Sequence, residues 1–171
     1  MKSGRKNQKE DRIKLKINEE NRSPKLVGKV EVSETLTTLK KFEKIIATAK
    51  VENAVIVTAT GAIYHCTGEL NGLPTIEELG TKLIGASVTH NHPIGSVNEY
   101  SFSSRDLSLF LDYQLSVLRG VDEKFVYELN RNADDIDESI PFFEINEWNY
   151  RHAQNIEFAK KIGIGYRRWQ R

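Results

Sequence analysis

The chain has 171 residues, 39% hydrophobic and 29% charged, enough for one domain with a buried core and too apolar for a disordered chain. No apolar run approaches the roughly 18 residues that span a bilayer, and the basic start MKSGRKNQKEDR lacks the apolar core of a secretory signal, so a cytoplasmic protein is expected. One cysteine, Cys66, excludes an internal disulfide and a multi-cysteine zinc site. Any metal must be held by histidine and carboxylate.

The net charge of +1 hides an uneven distribution. Residues 1–25 and 160–171 each carry an excess of five positive charges, whereas residues 26–159 hold 11 basic and 20 acidic residues. Basic ends could meet nucleic acid or an acidic partner, but without aromatic residues interleaved they read first as solvated termini.

In chain order, residues 1–24 read as a mobile polar tail with at most one short strand at Ile13–Ile17. Residues 25–132 read as the catalytic domain, and 133–171 as an acidic linker and a C-terminal helix packed on it. Leu26–Val32 suggests a strand, and Ser33 an N-cap for a helix to about Lys50 with Leu36, Leu39, Phe42, Ile45, Ile46 and Ala49 on one face. Two β-rich runs from Glu52 to Thr67 flank Thr60-Gly61 and predict a hairpin whose first, nearly all-apolar strand is central. A short helix at Thr75–Leu79 precedes a strand at Leu83–Thr89. Ser103 caps a helix with Leu107, Leu109, Phe110, Leu111, Leu115 and Leu118 as its apolar set, closed by Arg119-Gly120. Lys124–Asn130 is a further strand, and a helix over about 146–161, with Trp148, Ile156 and Ala159 packing inward, stops near Gly163. These elements predict an α/β fold, a mixed and mostly antiparallel sheet with helices on both sides.

The chemistry concentrates after the strand at 83–89. His90 and His92 stand two residues apart at its end, so strand geometry aims both imidazoles to one side, and Pro93 ends the strand. Asp106, in the first turn of the next helix, can reach back to complete a two-histidine, one-aspartate site with a fourth position open for water. Zinc held in this way lowers the pKa of that water to about 7. Glu52, at the head of the first apolar strand, suits the general base, and Ser103 suits an oxyanion donor, with Ser101 and Ser104 as alternatives. Ser103 and Asp106 also form an N-capping arrangement, which alone accounts for both.

Glu52, then His90-Asn91-His92-Pro93, then Ser103-Ser104-Arg105-Asp106 resembles the JAB/MPN domain with its JAMM signature, over residues 34 to about 130. The resemblance implies a cytidine-deaminase-like three-layer fold, one zinc held by His90, His92 and Asp106, Glu52 as water-activating base, and Ser103 as oxyanion helper. It implies hydrolysis of a peptide or isopeptide bond in a protein substrate, including ubiquitin-like modifiers. The His-Asn-His-Pro-x-Gly string is closer to the bacterial RadC-type and phage-associated branches, and the loop Ile94–Phe102 is longer than the family pattern and could form a lid. Competing readings are a catalytically silent scaffold and a nucleic-acid-associated protein using its basic ends.

His65 and Cys66 read as structural, one facing the core and the other solvent, and His152 as an exposed residue of the last helix. Trp148, Tyr150, Tyr166 and Trp169 read as packing the last helix onto the domain, or else as an aromatic surface for a partner.

Overall fold

The structure is a computed structural model that describes residues 13–68, 74–96, 100–136 and 147–171. Seven strands, β1 (Lys25–Lys29), β2 (Asn53–Val57), β3 (Ala62–Thr67), β4 (Ser87–Asn91), β5 (Val117–Val121), β6 (Phe125–Asn130) and β7 (Gly165–Gln170), form one mixed sheet in the order β1-β3-β2-β4-β5-β6-β7. Among these strand pairs only β4–β5 is parallel. The α-helices among the described residues are α1 (Thr35–Ile46), α2 (Ser104–Asp112) and α3 (Glu147–Ile162).

Period-2 alternation divides the sheet residues between two cores. Val55, Val57 and Ile63 face α1 and pack on Leu39 and Phe42. Ala54, Ile56, Val88, Leu118 and Tyr127 face the other way, onto Phe110 of α2 and Ile156 and Ala159 of α3. Helices thus cover both faces, as the α/β reading requires. The predicted hairpin is β2–β3, and all five residues of β2 are buried between β3 and β4. Gly61 closes its turn at φ +85°, where a Cβ would run into the Val30 carbonyl.

Several expectations need correction. Ile13–Ile17 forms no strand; it is extended, and Ile13, Leu15 and Ile17 pack against the α1-side clusters. Ser33 is not an N-cap, because a 3-10 turn at Val32–Glu34 leads directly into α1. The strand after Thr75 begins at Ser87 and not at Leu83, since a kinked 3-10 stretch occupies Ile76–Leu83. Most consequentially, α2 ends at Asp112. Gln114 takes φ +49°, Leu115 and Leu118 are buried outside the helix, and Arg119-Gly120 lies inside β5 instead of closing a helix. Val117–Val121 is a short apolar run, of the kind whose period alone does not separate buried strand from helix.

Gly163 ends α3 at φ +73°, its N–H bonded to the Ala159 carbonyl. The basic ending beyond it is edge strand β7 and no loose tail. Its Tyr166 is buried and bonded to His152 Nδ1 (2.7 Å) and Ser101 Oγ (2.5 Å), so His152 is 1% exposed where a solvent-facing residue was expected. His65 and Cys66 are both buried. Residues 1–12, part of the loop 94–102 and the acidic run from Asp137 lie outside the described residues, as does the Trp148 side chain. No helix among the described residues is long and apolar enough to cross a membrane.

Candidate metal centre

The parallel pair positions the donors. β4 carries His90 at its end, the chain continues one ladder bond further through His92 N–H to the Val121 carbonyl (2.9 Å), and the crossover back to β5 contains α2 with Asp106 in its first turn. A crevice outside the carboxyl end of a parallel strand is a recurrent place for a site in α/β sheets.

His90 Nε2 and His92 Nε2 are 3.0 Å apart. Asp106 Oδ1 is 3.1 Å from the former and Oδ2 3.6 Å from the latter. The two histidines are 2% exposed and Asp106 is buried. Nitrogen and oxygen ligands at about 2 Å around a tetrahedral zinc stand about 3.3 Å from one another; the two imidazole nitrogens and the two carboxylate oxygens approach that spacing pairwise, and one ligand atom from each residue lies within 4.8 Å of the others. Among the described residues His90 Nδ1, which is buried, has no hydrogen-bond partner. Burial opposes charge on His90, but the Asp106 carboxylate outweighs it and the net shift is upward. Asp106 is held well below the usual carboxylate range, burial being overcome mainly by His90.

Asp106 also serves its helix. Oδ2 accepts from Ser103 N–H and from Ser103 Oγ–H, both at 2.7 Å, and Asp106 N–H donates to Ser103 Oγ at 3.3 Å, a complete capping box. The same interactions fix the carboxylate toward the histidines. Of the three serines considered, Ser103 alone touches the donor set: Ser101 is buried against Tyr166, and Ser104 is exposed.

Glu52 lies next to this group. β2 and β4 pair with Ala54 opposite His90, and the register continued by two residues sets Glu52 opposite His92, on the same face. Burial raises the Glu52 carboxyl above its ordinary value, with His90 and His92 pulling it down and Asp106 pushing it up by their charges. Asn91 secures this placement from the other face. Its Oδ1 accepts from Asn53 N–H (2.6 Å) and its Nδ2 donates to the Val51 carbonyl (3.1 Å), so one side chain grips the backbone on both sides of Glu52.

Two further residues were not visible as functional in the sequence. The Tyr127 hydroxyl is 2.5 Å from His92 Nδ1, and burial, followed by the charges of Asp122 and Asp106, keeps this phenol protonated far above its usual range. Such an outer partner fixes the ring so that Nε2 faces the donor group. Phe102 packs edge-on against Tyr127 and lies beside His90, sealing the site from α3. Only period-2 placement of Tyr127 in β6 hinted at its facing; its partner depends on β5, which the sequence disguised. Cys66 lies outside this donor group; burial first, then Glu52, pushes its thiol up to about 12.

Comparison of the chain with family models, with curated proteins and with solved structures finds no match.

Proposed function

We propose that the chain is a zinc-dependent hydrolase of peptide or isopeptide bonds, of the JAMM type, with His90, His92 and Asp106 holding the ion. The observation that carries this reading is the buried convergence of two imidazole nitrogens and one carboxylate at ligand spacing, with a glutamate set beside them by the sheet register. When bound, the ion supplies Lewis acidity and lowers the pKa of a water at its open position. Glu52 takes the proton from the attacking water as oxygen joins the carbonyl carbon, then delivers it to the nitrogen as the C–N bond breaks. Tyr127 and Ser103 hold His92 and Asp106 in orientation. To face an oxyanion, the Ser103 hydroxyl must leave Asp106 Oδ2. A cytidine-deaminase-like arrangement, a protein substrate such as a ubiquitin-like conjugate, and a cytoplasmic setting belong to the same proposal; the mixed sheet with helices on both faces supports the first of these.

Metal content by mass spectrometry on the protein and on His92→Ala is the direct test. About one zinc per chain, lost in the variant, is expected. Glu52→Gln should retain the zinc and lose cleavage of peptide and ubiquitin-fusion substrates by about 10²- to 10⁴-fold. A protein that takes up no zinc leaves the His-Asn-His-Pro segment as a turn and the chain as a binding scaffold.

A further inference from the structure

On the sheet face that carries α1, opposite the metal centre, a groove of about 420 Å³ runs between that helix and the last strands. One wall is Lys40 and Lys44, one helical turn apart on α1 and both exposed. The other is Arg167, Trp169 and Arg171, which alternate along the end of the chain and therefore share a face. Val121 and Val126 lie between the walls, beside buried Arg119.

The charge balance of this groove is one-sided. Arg119 is neutralised from below by Glu43 and Glu128, which are 6% and 4% exposed, and Arg167 reaches Glu128 (3.0 Å) and Asp135 (3.4 Å). Lys40, Lys44 and Arg171 have no side-chain hydrogen bond or ion pair among the described residues. Their three charges face one cleft in a chain whose central 26–159 stretch is acidic overall. Between them Val121 and Val126 are buried, and the exposed apolar element is the Trp169 indole, which is 37% exposed, with guanidinium groups of Arg119 and Arg167 5.2 and 5.3 Å from its ring.

We propose that this groove binds single-stranded nucleic acid, the phosphodiester backbone lying along Lys40, Lys44 and Arg171 and a base resting against Trp169 on the groove floor. Helix neighbours at i and i+4 have Cβ atoms about 5–6 Å apart, a spacing close to that of successive phosphates along a strand. Cationic walls combined with an aromatic platform are the two parts from which sequence-tolerant single-strand sites are built. An acidic peptide would satisfy the lysines but brings no flat ring to the floor, and a duplex turns its bases away from it. The site is separated from the metal centre by the sheet, so occupying one leaves the other open.

The test is fluorescence anisotropy of a labelled 20-nucleotide single strand titrated with the full chain across a salt series. Wild type should bind at low salt with affinity falling linearly in log salt. Lys40→Glu combined with Lys44→Glu should weaken binding by tenfold or more and flatten the salt slope by about 1 to 2. Trp169→Ala should weaken it by about tenfold with the slope kept. Circular dichroism and melting of each variant separate this from unfolding, and Arg171→Glu, whose side chain makes no hydrogen bond or ion pair among the described residues, repeats the charge test at a second place in the groove. Lys2, Arg5, Lys6 and Lys9 replaced together by Gln, in the full chain, should leave the binding intact. Absence of binding at low salt, unchanged binding by the groove variants, loss confined to the N-terminal replacement, or equal competition by poly-glutamate overturns the proposal.

Discussion

Gly120 and Tyr127 sit directly opposite each other in the β5–β6 pair, and the tyrosine ring occupies the space where a side chain on residue 120 would project. A Cβ there would overlap the ring edge. The missing side chain is what lets the phenol cross β5 and reach His92, since His90 is the next residue in the same row across the sheet. Gly120→Ala should therefore destabilise the fold by about 1–3 kcal/mol through overpacking and also weaken metal binding. Thermal unfolding and a zinc titration on the same variant check both effects.

Tyr127→Phe separates the two. The ring and its packing on Phe102 remain, and only the bond to His92 Nδ1 is lost. Zinc affinity should fall by about 10- to 100-fold, the usual consequence of removing an outer partner of a ligating histidine. Competition against a chelator of known affinity measures it, and wild-type affinity in the variant would remove Tyr127 from the site.

Asn91→Ala should spare the metal and injure catalysis. The change leaves the Asn53 N–H without its acceptor and the Val51 carbonyl with only the Asn53 Nδ2–H donor, on either side of Glu52, at a cost of about 1–3 kcal/mol for the buried N–H left unpaired. Zinc stoichiometry should stay at the wild-type value while kcat falls with KM nearly unchanged, because the base is misplaced and the donors are not.

His65 makes stability depend on acidity. Burial lowers this imidazole from 6.5 to about 4, and its Nε2–H donates to Asn53 Oδ1 (2.8 Å). The unfolded chain takes up a proton as pH drops through 6.5 while the folded chain resists until about 4, so this residue's contribution is complete above 6.5 and is lost between these values. The loss is at most about 3 kcal/mol. His90, whose shift is upward, acts in the opposite sense over part of the range, so the quantity to measure is the difference between wild type and His65→Gln in urea unfolding at pH 7 and pH 4.5. A pH-independent difference would contradict the assignment.

Arg119 anchors α1 to the sheet through Glu43, which it meets at 2.5 and 3.1 Å, and through Glu128. Arg119→Met leaves the buried Glu43 carboxylate without its counter-charge and Glu128 with Arg167 alone, and should cost about 3–5 kcal/mol. Replacing Glu43 and Glu128 by Gln in the same chain should recover part of that loss, as read from chemical denaturation.

The donor segment was legible because its information is local. His90 and His92 at a strand end and Ser103 with Asp106 at a helix start each express a short-range backbone rule, and the geometry of these four residues follows the sequence reading. The central hairpin was legible for the same reason. What escaped depends on tertiary burial. β5 hides in an apolar run that extends the helical pattern of α2, and β7 is a strand written in arginines whose charges are spent on Glu128, Asp135 and Asn149. Misreading β5 concealed Gly120 and with it Tyr127, and misreading β7 concealed Tyr166 and so the burial of His152.

The single parallel pair also divides the centre by folding history. The three donors belong to one crossover, β4 through α2 to β5, whose closure entropy is that of one short loop. Glu52 arrives from β2 across an antiparallel seam and stays in place only while that seam is zipped. On the proposed function, local opening of that seam would therefore cost the chain its base before it cost the His90, His92 and Asp106 group, so cleavage would be lost under milder conditions than ion binding.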